Sequence, residues 1–292
     1  MSDSSPLHKR IRETQLSRDQ QRIAQRVTSA LHRVAFLSGA ELAAECDVSV
    51  SAITRFAQRL GYAGFPALKS ELEQLYRQTT TPYEVFESFR QERSEASVAE
   101  RTWERDLQNI ASMRAQLDGK TLERAVKAIA KAKKVHLAAI ASAEALVDLA
   151  HAYLDALHVS TECHKGLGLT KRAEVMDFDK GELLIGFSFQ RVLREVRDLF
   201  VYVRERGVKT LAITDSPMNA LAAEADTVLI APVIGTTFGL SHTAPLTLLN
   251  VLVNSVAAYD ADASAKALEH AKGEWQKRPI FCDALEGAAG ER

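Results

Sequence analysis

The sequence has few cysteines, no long apolar run and almost no net charge. Its three cysteines, Cys46, Cys163 and Cys282, lie far apart without a CxxC pair. This usage argues against a disulfide scaffold or a zinc ribbon and is typical of a reducing compartment. No apolar run approaches the roughly 20 residues of a membrane-spanning helix. The polar start, MSDSSPLHKRIRETQ, also lacks the apolar core of a secretory signal, so we expect a soluble cytoplasmic protein without membrane partners.

The motifs of common enzymes and metal sites are missing too. The chain contains no G-x-S-x-G turn and no Walker A loop. His151, His158, Cys163 and His164 match no standard zinc spacing, and Cys163 and His164 are adjacent, so they would point to opposite faces of a strand. The sequence therefore predicts no catalytic residue, no metal site and no cofactor.

The net charge of -1 hides an uneven distribution along 292 residues, a length that allows two domains. The first 78 residues carry 11 basic and 8 acidic groups, and the remainder carries 26 basic and 30 acidic groups. A net charge so close to zero excludes the class of uniformly basic proteins that coat nucleic acids. The sign of the difference is the one expected when a DNA-binding module is joined to an acidic body.

Hydrophobic periodicity divides the chain in the same way. Up to residue 78, apolar residues recur every three or four positions, which predicts helices only. From Thr121, strands alternate with helices, which predicts a parallel sheet covered on both faces. The predicted strands are Val135–Ile140, Val159–His164, Leu183–Phe189, Val208–Thr214 and Thr227–Ile230. The fold class is therefore an all-α helix-turn-helix domain followed by a three-layer αβα domain with a parallel sheet.

The pattern also predicts the domain boundaries. We expect a DNA-binding domain over 1–78, a linker and connecting helix over 79–120, a three-layer domain over 121–262 and a tail over 263–292.

The stretch SGAELAAECDVSVSAITRFAQRLG, from Ser38 to Gly61, has the arithmetic of two helices joined by a tight turn. Ser38 and Glu41 form a capping-box pattern, and Ser49 is placed to cap the second helix. The polar face of that helix carries side chains suited to base edges and phosphates. The candidate DNA contacts are Ser49, Ser51, Thr54, Arg55, Gln58, Arg59 and, in the next helix, Lys69. The alternative is a helical hairpin of another bundle, with Arg55 and Arg59 on a solvated face.

The larger context resembles the RpiR family of bacterial transcriptional regulators. LSRDQQRIAQRV is followed by VAFLSGAELAAECDVSVSAITRFAQRLGYAGFPALKSEL, in which TRF and LGYAGFPALK are the most specific parts. The resemblance covers Leu16–Leu72 and implies that Ser49–Leu60 is the recognition helix.

The second half is similar to a sugar isomerase (SIS) domain, from about Ala128 to Tyr259. The run ERGVKTLAITDSPMNALAAEADTVLIAP, Glu205–Pro232, carries this resemblance. It implies a phosphosugar site at the C-terminal ends of the strands, where open α/β sheets bind ligands.

Two turns depart from the SIS pattern. The Gly-rich turn after the first strand reads AAIASA over 138–143, where only Ser142 offers a hydroxyl. The Ser-rich turn after the next strand reads FSFQRVLRE over 187–195, which keeps Ser188 but replaces other hydroxyls. Either Arg191 and Arg194 hold an anion instead, or the domain has lost its ligand and only dimerises; Arg194 could also pair with Asp198. The candidate effector contacts are Ser142, Ser188, Gln190, Arg191, Ser241 and His242. The alternative, which the sequence favours for the last two, is that Ser241 is an N-cap and His242 an exposed loop residue.

We therefore predict a DNA-binding transcriptional regulator that is not an enzyme. Its expected partners are operator double-stranded DNA, a small anionic sugar derivative and a second copy of itself, as a dimer or tetramer. The alternative is a sugar-phosphate isomerase, for which Glu195 and His242 are the candidate bases.

Overall fold

A computed structural model describes residues 6–35, 37–79, 81–91, 94–174 and 177–277. The chain divides into two compact units, one of residues 1–106 and 234–241, the other of residues 107–233 and 242–292. Residues 278–292, which include Cys282 and the end of the predicted tail, lie outside the described residues. Within those residues, no helix is both long and apolar enough to cross a membrane.

The first unit is helical, as the periodicity predicts. Its elements are α1 (Pro6–Glu13), α2 (Arg18–Ser29), α3 (Leu31–Val34), α4 (Gly39–Glu45), α5 (Val50–Arg59), α6 (Phe65–Thr79), α7 (Pro82–Gln91) and the start of α8 (Val98–Gln116). Serine side chains cap α2, α4 and α5 at their N-termini, and the capping box of Ser38 and Glu41 is present.

A single apolar core joins α1 to α6. Ile53 and Phe56 of α5 are fully buried in it with Leu42 of α4 and Leu68 of α6. Removing a side chain such as that of Phe56 would cost about 3–5 kcal/mol of folding free energy. This core fixes the orientation of α5 and leaves its polar face outward.

The second unit alternates strands and helices. Its elements are α9 (Gly119–Lys131), β1 (Val135–Ala139), α10 (Glu144–Ala156), β2 (Thr161–Lys165), α11 (Leu169–Ala173), β3 (Leu183–Phe187), α12 (Arg194–Arg204), β4 (Lys209–Thr214), β5 (Thr227–Ile230), α13 (Thr243–Tyr259) and α14 (Ala261–Lys277). The five strands pair in parallel in the order β2-β1-β3-β4-β5. The predicted strands, including the one near Val159–His164, are confirmed to within a few residues. Helix α14 occupies the first part of the segment that the sequence places in the tail.

Helices cover both faces of the sheet. Every residue of β1 and β3 is buried, which is typical of a parallel sheet between two helical layers. On one face, Leu184 packs with Leu199 and Phe200 of α12, whereas α9, α10 and α13 form the other layer. Gly186 is required on the α12 side, because a Cβ there would lie 2.3 Å from Cε2 of Phe200. The three-layer αβα prediction is confirmed.

Candidate functional site

Helices α4 and α5 form the predicted helix-turn-helix. Asp47 sits in the turn with φ +50°, and the backbone N–H of Val48 donates to the carbonyl of Ala43. Ser49 then caps α5 by accepting a hydrogen bond from the N–H of Ala52 at 3.2 Å. The tight turn brings the N-terminus of α5 out at the surface, where its free N–H groups favour phosphate.

The outward face of α5 gathers six of the seven candidate DNA contacts. Ser49, Ser51, Arg55, Gln58 and Arg59 are exposed, and Thr54 is half-buried beside them. The hydroxyls of Ser49 and Ser51 lie 2.9 Å apart, and Arg55 donates to Ser51 at 3.2 Å. Helix α5 contains no acidic residue, so no carboxylate of the helix itself neutralises its two guanidinium groups.

The C-terminal end of α5 is held by the N-terminal helix. Nη1 of Arg10 donates to the carbonyl of Leu60 at 3.3 Å, and its guanidinium lies 4.7 Å from the ring centroid of Tyr62. Tyr62 in turn donates to Glu71 of α6 at 2.7 Å. A cation at a helix C-terminus also interacts favourably with the helix dipole. These contacts attach the C-terminal end of α5 to α1 and α6.

Lys69 stands apart from the other candidates. It lies on α6, near Glu41 of α4. The pKa of Glu41 is lowered chiefly by hydrogen bonds from Ser38, with smaller contributions from Lys69 and Arg105. Part of the positive charge of Lys69 is therefore already balanced within the protein.

In the second unit, two strained turns follow neighbouring strands of the sheet. Ala141, just after β1, has φ +62°, and Gln190, just after β3, has φ +53°. Residues with a Cβ rarely adopt this conformation, and such strain is commonly concentrated at functional sites. The alanine-rich sequence after β1 thus forms a left-handed turn at Ala141 although it contains no glycine.

Asp215 holds the turn after β3 in place. Its Oδ1 accepts hydrogen bonds from the backbone N–H of Gln190 at 2.9 Å and from the amide of Asn219 at 3.0 Å. Asn219 also donates to the carbonyl of Gln190 at 3.4 Å. Both Asp215 and Asn219 are buried. Neither is among the candidates drawn from the sequence, although Asp215 stands in the TDS motif, which is the signal that could have identified it.

His242 connects the turn after β1 with the start of α13. Its Nε2 lies 3.0 Å from the hydroxyl of Ser142, and its ring centroid is 5.6 Å from that of Phe189. Burial lowers the pKa of His242, which favours the neutral form of the ring. Its Nδ1 is buried and has no hydrogen-bond partner among the described residues. Two polar candidates predicted separately are therefore in direct contact.

The other effector candidates differ in their surroundings. Ser188 is buried at the end of β3, where its N–H donates to the carbonyl of Ile213. Arg191 and Arg194 are exposed, and among the described residues Arg194 forms no ion pair with Asp198. Ser241 belongs to the first unit, in which its hydroxyl donates to Asp106.

Glu195, one of the two candidate isomerase bases, has a structural role. Its Oε2 accepts from the backbone N–H groups of Gly168 and Leu169, at 2.5 and 2.8 Å. The carboxylate thereby satisfies the N-terminus of α11.

Comparison with known families gives two matches. Residues 8–79 match the family described as "Helix-turn-helix domain, rpiR family", and residues 168–255 match the SIS domain family. The first match contains the whole of α5, and the second contains the turn after β3.

Individual relatives agree with both matches. The chain is 31% identical over 195 residues to the uncharacterized HTH-type transcriptional regulator YfhH of Escherichia coli (strain K12), covering 65% of this chain and 67% of that protein. The sugar isomerase domain of an RpiR transcription factor from Sphaerobacter thermophilus is 26% identical, with a TM-score of 0.56, over 60% of this chain and 98% of that one. NanR of Vibrio vulnificus, solved with ManNAc-6P, shares the fold at 16% identity and a TM-score of 0.58, over 96% of this chain and 100% of its own.

Proposed function

Because the chain belongs to the RpiR family of helix-turn-helix transcriptional regulators, we propose that α5 reads operator DNA and that the SIS domain senses a small anionic sugar derivative. The protein is a transcriptional regulator and not an enzyme, since its curated relatives are named regulators. We further propose that the ligand is a phosphosugar, that the residues named below contact DNA and ligand, and that the protein is a dimer.

The outward face of α5 supports the first part. An α-helix fits the major groove, and Arg, Gln, Ser and Thr are the side chains that pair with base edges and phosphates there. Arg55 and Arg59 have no acidic neighbour on α5 to neutralise them. The first 78 residues carry only three more basic than acidic groups. The affinity for DNA would therefore come from a few positioned contacts and not from a broad basic surface.

The single observation that carries the second part is the set of polar groups beyond the C-terminal ends of β1 and β3. Ser142 and His242 are joined there, and the turn at Gln190 is held by Asp215. Arg191 is exposed in that turn, free to place a guanidinium on an anion by two parallel hydrogen bonds. NanR, which shares the fold, is solved with ManNAc-6P, and this favours a sugar phosphate as the ligand class.

A ligand can control DNA binding only by binding two arrangements of the protein unequally. A homodimer would present two copies of α5 to paired half-sites, as two-fold symmetric operators require. The segment over 79–104 joins the two functions along the chain, so the coupling would pass through it.

Arg191→Ala tests the ligand site. A panel of sugar phosphates, with ManNAc-6P included, is screened by thermal shift, and a hit is titrated by calorimetry. Loss of a charge-assisted hydrogen bond of about 1.5–3 kcal/mol predicts roughly a 10- to 150-fold weaker affinity.

Arg206→Ala, beyond the far end of α12, removes the same charge and is the matched control. It should bind the hit as the parent does. Equal affinity of the Arg191 variant and the parent would refute the assignment of Arg191.

A further inference from the structure

A group of ionisable side chains lies between β1 and β2, away from the proposed sugar site. His136 of β1 pairs in register with Glu162 of β2, and Ala138 pairs with His164. Residues two apart on a strand share a face, so His136, Glu162 and His164 project to the same side. His136 Nδ1 lies 2.9 Å from His164 Nε2 and 3.8 Å from Glu162 Oε2.

We propose that His136, Glu162 and His164 bind a divalent transition-metal ion. One nitrogen or oxygen of each residue lies within 4.8 Å of the others. Two imidazoles and one carboxylate are a donor set that suits Zn²⁺ and its neighbours in the first transition row. The proposed sugar site lies beyond the C-terminal end of β1, so it does not explain these residues.

The spacing of the nitrogens fits a shared ion. With metal–nitrogen bonds of about 2.05 Å, nitrogens 2.9 Å apart subtend about 90° at the metal. That is the angle between neighbouring ligands of an octahedral ion. A tetrahedral ion needs the nitrogens about 3.3 Å apart, a widening of only about 0.4 Å.

Glu182 contacts the ring nitrogen of His136 that does not face the proposed ion. Its Oε2 lies 2.9 Å from Nε2 of His136, and it also accepts from the backbone N–H of Asp179. A proton on Nε2, donated to this carboxylate, leaves the lone pair of Nδ1 facing the proposed ion. Metal-binding histidines almost always have such a carboxylate or carbonyl partner, which fixes the ring and its tautomer.

Among the described residues, Glu162 connects the cluster to solvent. His136 is fully buried, and the ring of Phe178 lies 4.6 Å from it, centroid to centroid. The Glu162 side chain is 37% exposed on β2, the edge strand, so an ion would enter there. Lys134 lies 3.1 Å from the Glu162 carboxylate and is the cation that an incoming ion would have to displace or share with.

Metal titration of the full chain tests the site. Protein freed of metal with a chelator is titrated with Zn²⁺ by calorimetry and with Co²⁺ by visible absorption. We expect one strong site per chain and a Co²⁺ absorption band. Affinity should fall at least tenfold in His164→Gln and in Glu162→Gln, whose side chain is exposed enough for the substitution to fold.

His151→Gln is the matched control, because His151 is exposed on α10 and contacts Thr161 instead of the cluster. It should retain the strong site. Absence of a strong site in the parent, or equal affinity in the parent and Glu162→Gln, would overturn the proposal.

Discussion

Replacing Arg55 by alanine tests whether α5 reads DNA. In the structure the Arg55 guanidinium is exposed and donates a hydrogen bond to Ser51 at 3.2 Å. Losing this contact should change the free energy of unfolding by no more than about 0.5 kcal/mol, as for other surface substitutions. Any large loss of DNA affinity would therefore reflect the missing contact with DNA and not a damaged fold.

The expected loss depends on what Arg55 touches. A bidentate contact to a base is worth about 1–3 kcal/mol, or roughly a 5- to 150-fold change in Kd for each copy of α5 bound. If Arg55 contacts a phosphate instead, its loss makes the negative slope of log K against log salt less steep by about 0.9. The first outcome reduces discrimination between sequences, whereas the second weakens binding to all duplexes equally.

The assay is fluorescence anisotropy with a duplex selected from a random library by the parent protein, and with a scrambled duplex, over a series of salt concentrations. Arg124→Ala, at an exposed position of α9 in the second unit, removes the same charge and serves as the control. Unchanged affinity, selectivity and salt slope in the Arg55 variant would refute the placement of the recognition helix.

Two further substitutions test the strand-end site. Asp215→Ala removes a buried acceptor from the N–H of Gln190 and the amide of Asn219, so urea denaturation should show a loss of about 1.5–3 kcal/mol; a loss below about 0.5 kcal/mol would mean that the turn is not held by Asp215. Ala141→Gly should stabilise the protein by about 0.5–1 kcal/mol. The left-handed conformation costs a residue with a Cβ about 1–2 kcal/mol, and glycine avoids this cost. Part of the benefit is offset because glycine has more conformational freedom in the unfolded chain. A destabilised glycine variant would contradict the inferred strain at Ala141.

The sequence predicts the fold because its patterns are local. Thr227–Ile230 is a strand with the predicted bounds, and Ser49 caps α5 as its position before the apolar stripe indicates. The RpiR resemblance is confirmed by the match over residues 8–79. Each of these features depends on neighbours within a few residues, so periodicity and capping chemistry suffice.

The candidate site is harder to predict because it depends on distant residues. Ser142 and His242 are 100 positions apart, and their contact follows from the order of the strands and helices. The role of Asp215 depends on Gln190, which belongs to a neighbouring strand's turn. The spacing of His151, His158, Cys163 and His164 suggests no metal site, since the partner of His164 is His136 on another strand.

Effector-dependent DNA binding is the most direct test of the account. The full chain is titrated onto its selected duplex with and without a saturating amount of the sugar phosphate found in the thermal-shift screen. We predict that the ligand changes the Kd for DNA by about 5- to 150-fold, the range of typical coupling free energies. We also predict that Arg191→Ala needs roughly 10- to 150-fold more ligand for the same change while binding DNA normally. Identical DNA affinity with and without bound ligand would contradict the proposal that the SIS domain is a sensor.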